Sequence, residues 1–219
     1  MHFEEKYFQD FKYAQREHLI KHHVLEVLKW GTKTSNSNLF DGQGKKALDV
    51  GCAYGYAVDI LKSLGYDSYG VDISKHGIEQ AKKMVDEVYF AICDVQKGLP
   101  FNNGTFDLVT CFEVLEHLAN PLQAVRNMFC SCKNILVCTT PNRIVEKPIK
   151  TILKDFDETH ISVKAPHEWE KCLRENLPSN FVKTETFFDT NLKTTDKLLF
   201  FKSFKVPYLG LDTRILIQK

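Results

Sequence analysis

"KKALDVGCAYGY", Lys45 to Tyr56, is the stretch from which the fold is read. It begins as an apolar strand, passes through a turn of small residues and opens a helix. Asp49 sits on the strand just ahead of the turn, and Gly51, Ala53 and Gly55 leave the turn almost without side chains. The next strand, "YGVDIS", ends on Asp72. A small-residue turn entering a helix, followed about 20 residues later by a strand-terminal acid, is how α/β proteins hold a ribose-bearing cofactor.

Working outward, strands and helices alternate. "YAVDILKSLG" reads as a helix stopped by Gly65, and Ser74 caps a helix over about Lys75 to Val85. "EVYFAICDV" and "FDLVTCF" are the third and fourth strands, separated by the turn-rich "QKGLPFNNG". Asn120-Pro121 opens a helix to about Cys130, and "KNILVCTT" is a fifth strand closed by Pro141. Strict alternation predicts a parallel sheet with right-handed crossovers and helices on both faces. Upstream, the spacing of Ile20, Val24, Val27 and Leu28 predicts an amphipathic helical region over about Phe8 to Trp30, followed by a loop, "GTKTSNSNLFDGQG". Downstream the period is lost through "NRIVEKPIKTILKDFDETHISVKAP". It returns with a helix at "HEWEKCLRENL" and late strands at "FVKTETFFD" and "TRILIQK".

Composition bounds the function. The chain has 219 residues, 43% hydrophobic, enough for a substantial core in one domain. With 29 basic against 28 acidic residues the formal charge is +1, which argues against a polyanionic partner such as nucleic acid. No apolar run approaches membrane-span length, and the acidic, aromatic N-terminus does not read as a secretory signal. Seven scattered cysteines with no metal-like spacing read as reduced thiols, so a cytoplasmic location is expected.

The turn discriminates between cofactors. A dinucleotide site wants glycines at the positions held here by Gly51, Ala53 and Tyr56, and a tyrosine fits poorly between helix and strand at the third. The glycine falls one residue earlier, at Gly55. "LDVGCAYGY" resembles the first motif of class I S-adenosylmethionine-dependent methyltransferases, with Ala53 in place of the middle glycine. "YGVDIS", "AICDVQKGLPF", "FDLVTCFEVLEHL" and "NILVCTTPN" resemble the next four segments in order, over roughly residues 45 to 142. The pattern is similar to the subgroup that includes ubiquinone-biosynthesis O-methyltransferases.

The resemblance implies a Rossmann-like, seven-stranded, mostly parallel sheet whose last strand is antiparallel. It implies S-adenosylmethionine as cofactor and direct in-line methyl transfer to a small-molecule acceptor. Asp72 would grip the ribose diol, a two-oxygen acceptor against two donors, while Asp94 and the Val95 N–H would take the adenine edge. Ile73 would lie against the adenine, and Cys111 beneath the methionine end. Asp49, Gly51, Cys52, Ala53 and Gly55 form the cradle, Asp49 either touching ligand or holding the turn. Residues 1–33 are expected to form a helical lid with Tyr13 on the cofactor or acceptor, residues 45–142 the cofactor-binding core, and residues 143–166 an acceptor-side insert.

In "EVLEHL", Glu113, Glu116 and His117 would share one face if helical. His117 or an acid then serves as general base, or two carboxylates and an imidazole hold a divalent metal, or the segment only orders the site. The assignment carried forward is catalytic His117, Glu113 and His160, the last beside Thr159 and near Asp157, with no metal. A catalytically silent cofactor-binding subunit and a nicotinamide-type oxidoreductase remain as other classes.

Overall fold

The computed structural model describes residues 3–146, 148, 159–193 and 198–219, with side chains described outside 190–202. Among the described residues eight strands form one sheet: β1 Lys46–Val50, β2 Asp67–Asp72, β3 Tyr89–Ile92, β4 Phe106–Phe112, β5 Cys132–Pro141, β6 Phe181–Lys193, β7 Leu198–Lys205 and β8 Asp212–Gln218. Their order is β3-β2-β1-β4-β5-β8-β6-β7. The first five run parallel, β8 inserts antiparallel between β5 and β6, and β7 pairs antiparallel along the outer edge of β6.

The Rossmann-like expectation holds, and the strand count is corrected from seven to eight. The added strand is β7, "LLFFKSFK". It lies at the sheet edge beside β6, and its sequence lacks the apolar–polar alternation by which a half-buried strand is read.

Helices α1 (Glu5–Asp10), α2 (Glu17–Ser35), α3 (Tyr56–Ser63), α4 (Lys75–Met84), α5 (Pro121–Ser131) and α6 (Pro166–Asn176) flank the sheet. The single N-terminal helical region expected from Phe8 to Trp30 is instead α1, a 3-10 turn at Tyr13–Arg16, and α2. The break falls at Lys12, whose φ of 48° is left-handed. Helix α2 also runs on into the stretch expected to be loop. The capping expectations hold: the Ser74 hydroxyl accepts from Gly77 N–H, and Asn120 Oδ1 accepts from Gln123 N–H.

Strands buried on both faces explain the near-continuous apolar runs. Leu48, Val109 and Leu136 face one cluster with Met128, Trp169 and Leu173, while their neighbours Ala47, Leu108 and Val137 face another with Val24, Leu28 and Leu61. Each fully buried leucine of this kind contributes roughly 1.5–3 kcal/mol. Among the described residues, no helix is long and apolar enough to cross a membrane.

This topology places the site. From β1 the chain steps outward to β2 and β3, then returns to β4 on the other side of β1. That reversal opens a crevice at the carboxyl ends of β1 and β4, where open α/β sheets bind ligands.

Candidate active site

The turn after β1 is held from two sides. Gly51 and Cys52 donate their N–H groups to the Val71 carbonyl on β2 at 2.8 and 3.0 Å. Gly51 has φ +80°, and a Cβ there would lie 2.2 Å from Val114 Cγ2, so only glycine fits. Ala53 takes a left-handed φ of 46°, a cost that persists only where the surroundings impose it. Asp72 imposes it: Oδ2 accepts the Ala53 N–H at 2.8 Å and Oδ1 accepts the Ser74 N–H at 2.7 Å. Gly55 stands at the N-cap of α3 and offers no side-chain cap to that helix's first N–H groups. A strand-end cradle of backbone donors with a positive helix end suits an anionic ligand group.

Burial pushes the Asp72 carboxyl up, and the three N–H groups of Ser74, Ala53 and Ile73 pull it back. Asp49, also buried, accepts from Thr110 Oγ1 at 2.7 Å. Burial raises it to about 7, against the Thr110 hydrogen bond and with the charge of Asp72. Asp49 thus ties β1 to β4, and both acids lie along the floor of the cleft. The remaining residues expected at the cofactor line the same edge. Cys52 and Cys111 are buried, whereas Ile73 is 50% exposed, an apolar side chain open at a strand end. Asp94 accepts from the Gln96 N–H at 3.0 Å and pairs with Lys97 at 3.4 Å, a loop cap, and the Val95 carbonyl accepts from Asn127 at 2.6 Å.

Over the turn lies an aromatic cover. Tyr13 stacks on Tyr56 with centroids 5.6 Å apart and meets Tyr54 edge-on, and Phe8 stacks on Tyr54. Burial raises the Tyr13 phenol well above 10, and the charges of Asp72 and Asp49 add to it. The phenol thus lies within electrostatic reach of both acids. Phe3 packs edge-on against His117 at 5.3 Å, so the same segment touches the far side of the site.

That far side differs from the sequence reading. Glu113, Glu116 and His117 do not share a helical face. Glu113 has φ 52°, and only Leu115–His117 forms a short 3-10 turn. The reversal leaves Glu113 exposed and turns Glu116 inward. Glu116 Oε2 accepts from Thr140 at 3.1 Å, while Oε1 is buried with no hydrogen-bond partner. Burial, then the charge of Glu113, holds the Glu116 carboxyl well above its ordinary range. His117 Nδ1 lies 2.8 Å from the Thr159 hydroxyl, and its ring meets His160 at 4.8 Å. His160 in turn bonds Glu146. Glu116, His117 and His160 each bring a ligand atom within 4.8 Å of the others. Asp157 lies outside the described residues.

Three further groups were not anticipated. His23 on α2 lies with Nδ1 2.7 Å from Asp189 Oδ2 on β6. Asp212 opens β8. Burial raises Asp212 well above the ordinary carboxylate range, with Glu113 next and His23 opposing. For His23, burial works downward and is outweighed by the Asp189 hydrogen bond and by the charges of Glu113, Asp189 and Asp212. No local pattern marks these residues, because each belongs to a different element and they meet only through the sheet order.

A family model described as "Methyltransferase domain" matches residues 14–176. The mitochondrial ubiquinone biosynthesis O-methyltransferase of Schizosaccharomyces pombe is 32% identical over 157 residues, covering 68% of this chain and 57% of that protein. The ubiquinone biosynthesis O-methyltransferase of Vibrio parahaemolyticus is 29% identical over 137 residues, covering 60% of this chain and 58% of that protein. The chain thus spans less than three fifths of the length of either relative. A solved SAM-dependent methyltransferase from Archaeoglobus fulgidus matches with a TM-score of 0.68 at 20% identity, covering 98% of this chain and all of that one, which is a likeness of fold.

Proposed function

The chain belongs to the methyltransferase-domain family, and from that premise we propose that it is an S-adenosylmethionine-dependent methyltransferase acting on a small-molecule acceptor. The observation that carries the reading is the glycine-bounded turn after β1, clamped to Asp72 by the Ala53 N–H at 2.8 Å. When bound, the cofactor supplies an electrophilic methyl on a sulfonium. Asp72 would hold the ribose, and Asp94 with the Val95 N–H the adenine edge. Ile73 would cover the adenine, and Gly51, Cys52, Ala53, Gly55 and Cys111 would line the methionine end. Asp49 secures the floor through Thr110. Residues 1–33 act as the lid and place Tyr13 over the cleft, which excludes water and fixes donor against acceptor. Within the acceptor side, which includes the described part of residues 143–166, His117, Glu113 and His160 receive the acceptor's proton. We place the whole as one domain working in the cytoplasm.

The test is calorimetric titration with adenosylmethionine and then turnover to adenosylhomocysteine across phenols, quinone precursors, amines, sugars and lipids. Micromolar binding with turnover supports the reading. Binding without turnover on any acceptor favours the silent subunit, and preference for NAD favours the oxidoreductase.

One observation favours a second reading of the acceptor side. The ligand atoms of Glu116, His117 and His160 lie within 4.8 Å of one another, a spacing that suits a divalent cation. On this reading a chelator abolishes turnover and magnesium or zinc restores it. Turnover that survives the chelator keeps His117 as base.

A further inference from the structure

The acceptor side of the cleft gathers carboxyl groups from separate elements, and in the empty cleft burial and mutual repulsion hold Asp212 and Glu116 toward the protonated form. Glu113 and Glu116 follow β4, Glu146 follows β5, Asp189 lies on β6 and Asp212 opens β8. The charges acting most strongly on Asp212 are Glu113, His23, Asp189 and Glu146, and those on Glu116 are Glu113 and Asp212. Among the described residues none of these is a lysine or an arginine. Arg214, next along β8, is committed elsewhere: it bonds Glu185 at 2.5 Å and lies over the Trp30 and Phe187 rings. The imidazole of His23 offsets one charge of this group.

A second observation points to a ligand. The Glu116 side chain is 1% exposed, and its Oε1 has no hydrogen-bond partner although it lies 3.7 Å from His117 Nε2. A buried carboxylate oxygen without a donor costs free energy that a bound donor would recover. Asp189 Oδ1 is likewise buried and unpartnered. Both atoms ask for N–H groups, and a bound cation would let the crowded carboxyls ionise. Asp189 and Asp212 also lie beyond residue 176, where the family match ends.

We propose that the methyl acceptor is an amine, bound as its ammonium against Glu113, Glu116, Asp189 and Asp212 and methylated on nitrogen. The inference rests on the methyltransferase reading above and narrows its substrate class. The ammonium passes one proton to a carboxylate or imidazole of the chamber. The freed nitrogen lone pair forms the N–C bond as the C–S bond breaks, and that bond's electron pair stays on sulfur. The product is a methylated ammonium and a neutral thioether. Anionic acceptors are rejected by the same carboxylates.

The experiment first saturates the protein with adenosylhomocysteine in the presence of a chelator. Failure at this step removes the methyltransferase reading and not the acceptor class. Matched pairs are then titrated by calorimetry: tyramine against tyrosol, and 1,5-diaminopentane against 1,5-pentanediol. The amines are expected to bind at least tenfold tighter than the alcohols. Asp212→Asn and Asp189→Asn should each erase most of that preference while leaving adenosylhomocysteine affinity within twofold, which also verifies folding. Equal or tighter binding of the alcohols, no binding of either class, or a preference unchanged in both variants overturns the proposal. A preference for tyrosol that emerges only with magnesium or zinc would overturn it too, assigning the chamber to the metal ion.

Discussion

Ala53 and Asp72 are 19 residues apart and joined by a 2.8 Å hydrogen bond from the Ala53 N–H to Asp72 Oδ2. The acid at the end of the second strand therefore shapes the turn at the end of the first. One carboxylate both stabilises a left-handed alanine and stands at the floor of the cleft.

Removing that carboxylate has two expected effects. Asp72→Ala leaves the Ala53 and Ser74 N–H groups without their charged acceptor, for a loss on the order of 2–4 kcal/mol in stability. Affinity for adenosylmethionine should fall at least tenfold. Asp72→Asn keeps one acceptor oxygen, so it should melt closer to wild type yet still bind weakly. Calorimetry and thermal melts read both, and wild-type affinity in the two variants would take Asp72 out of the site.

Gly51→Ala places a methyl 2.2 Å from Val114 Cγ2 at a φ of +80°. The left-handed conformation alone costs about 1–2 kcal/mol with a Cβ, and the clash adds to it. Adding Val114→Ala should recover the steric part and leave the conformational part. A single variant as stable as wild type would mean that the turn is not held as described.

Asp49 gives a pH signature. Its carboxyl stands at about 7 in the folded chain against an ordinary 3.8, so the native state holds the proton more tightly than the unfolded chain does. Its contribution to stability is fully present below about pH 4, declines as pH rises and is gone above about pH 7. Asp49→Asn removes the titration. The variant should match wild type near pH 4 and exceed it at pH 8 by up to roughly 4 kcal/mol. Denaturant melts across this range decide it, and a constant difference between the two proteins would refute the buried, proton-holding Asp49.

Tyr13 tests the cover. Tyr13→Phe keeps the stacking on Tyr56, seen at 5.6 Å, and should release adenosylhomocysteine at close to the wild-type rate. Tyr13→Ala removes the ring and should speed release about tenfold in stopped-flow displacement. Equal rates in all three proteins would leave the N-terminal segment without a lid role.

The turn-and-acid edge of the cleft was legible because its determinants are contiguous. Gly51 to Gly55, Asp72, and Asp94 with Val95 each sit at a strand end, and a parallel sheet brings successive strand ends to one edge without further information. The nearness of Tyr13 to the turn was also within reach, since an aromatic segment ahead of the first strand has that edge to cover. The disposition of "EVLEHL" was not legible. A helical reading of Glu113, Glu116 and His117 is sound for an isolated segment, but the left-handed Glu113 ends β4 and sends Glu116 inward to Thr140.

The amino-acid order by itself determined the doubly wound core and the cofactor cradle, since both follow from local periodicity and from residues a few positions apart. Only the tertiary structure decided the character of the acceptor side. β8 enters between β5 and β6, and that insertion carries Asp212 in among groups from the N-terminal helix, the end of β4 and β6. Groups so far apart along the chain act on one another only when the sheet closes, and burial then strengthens that coupling.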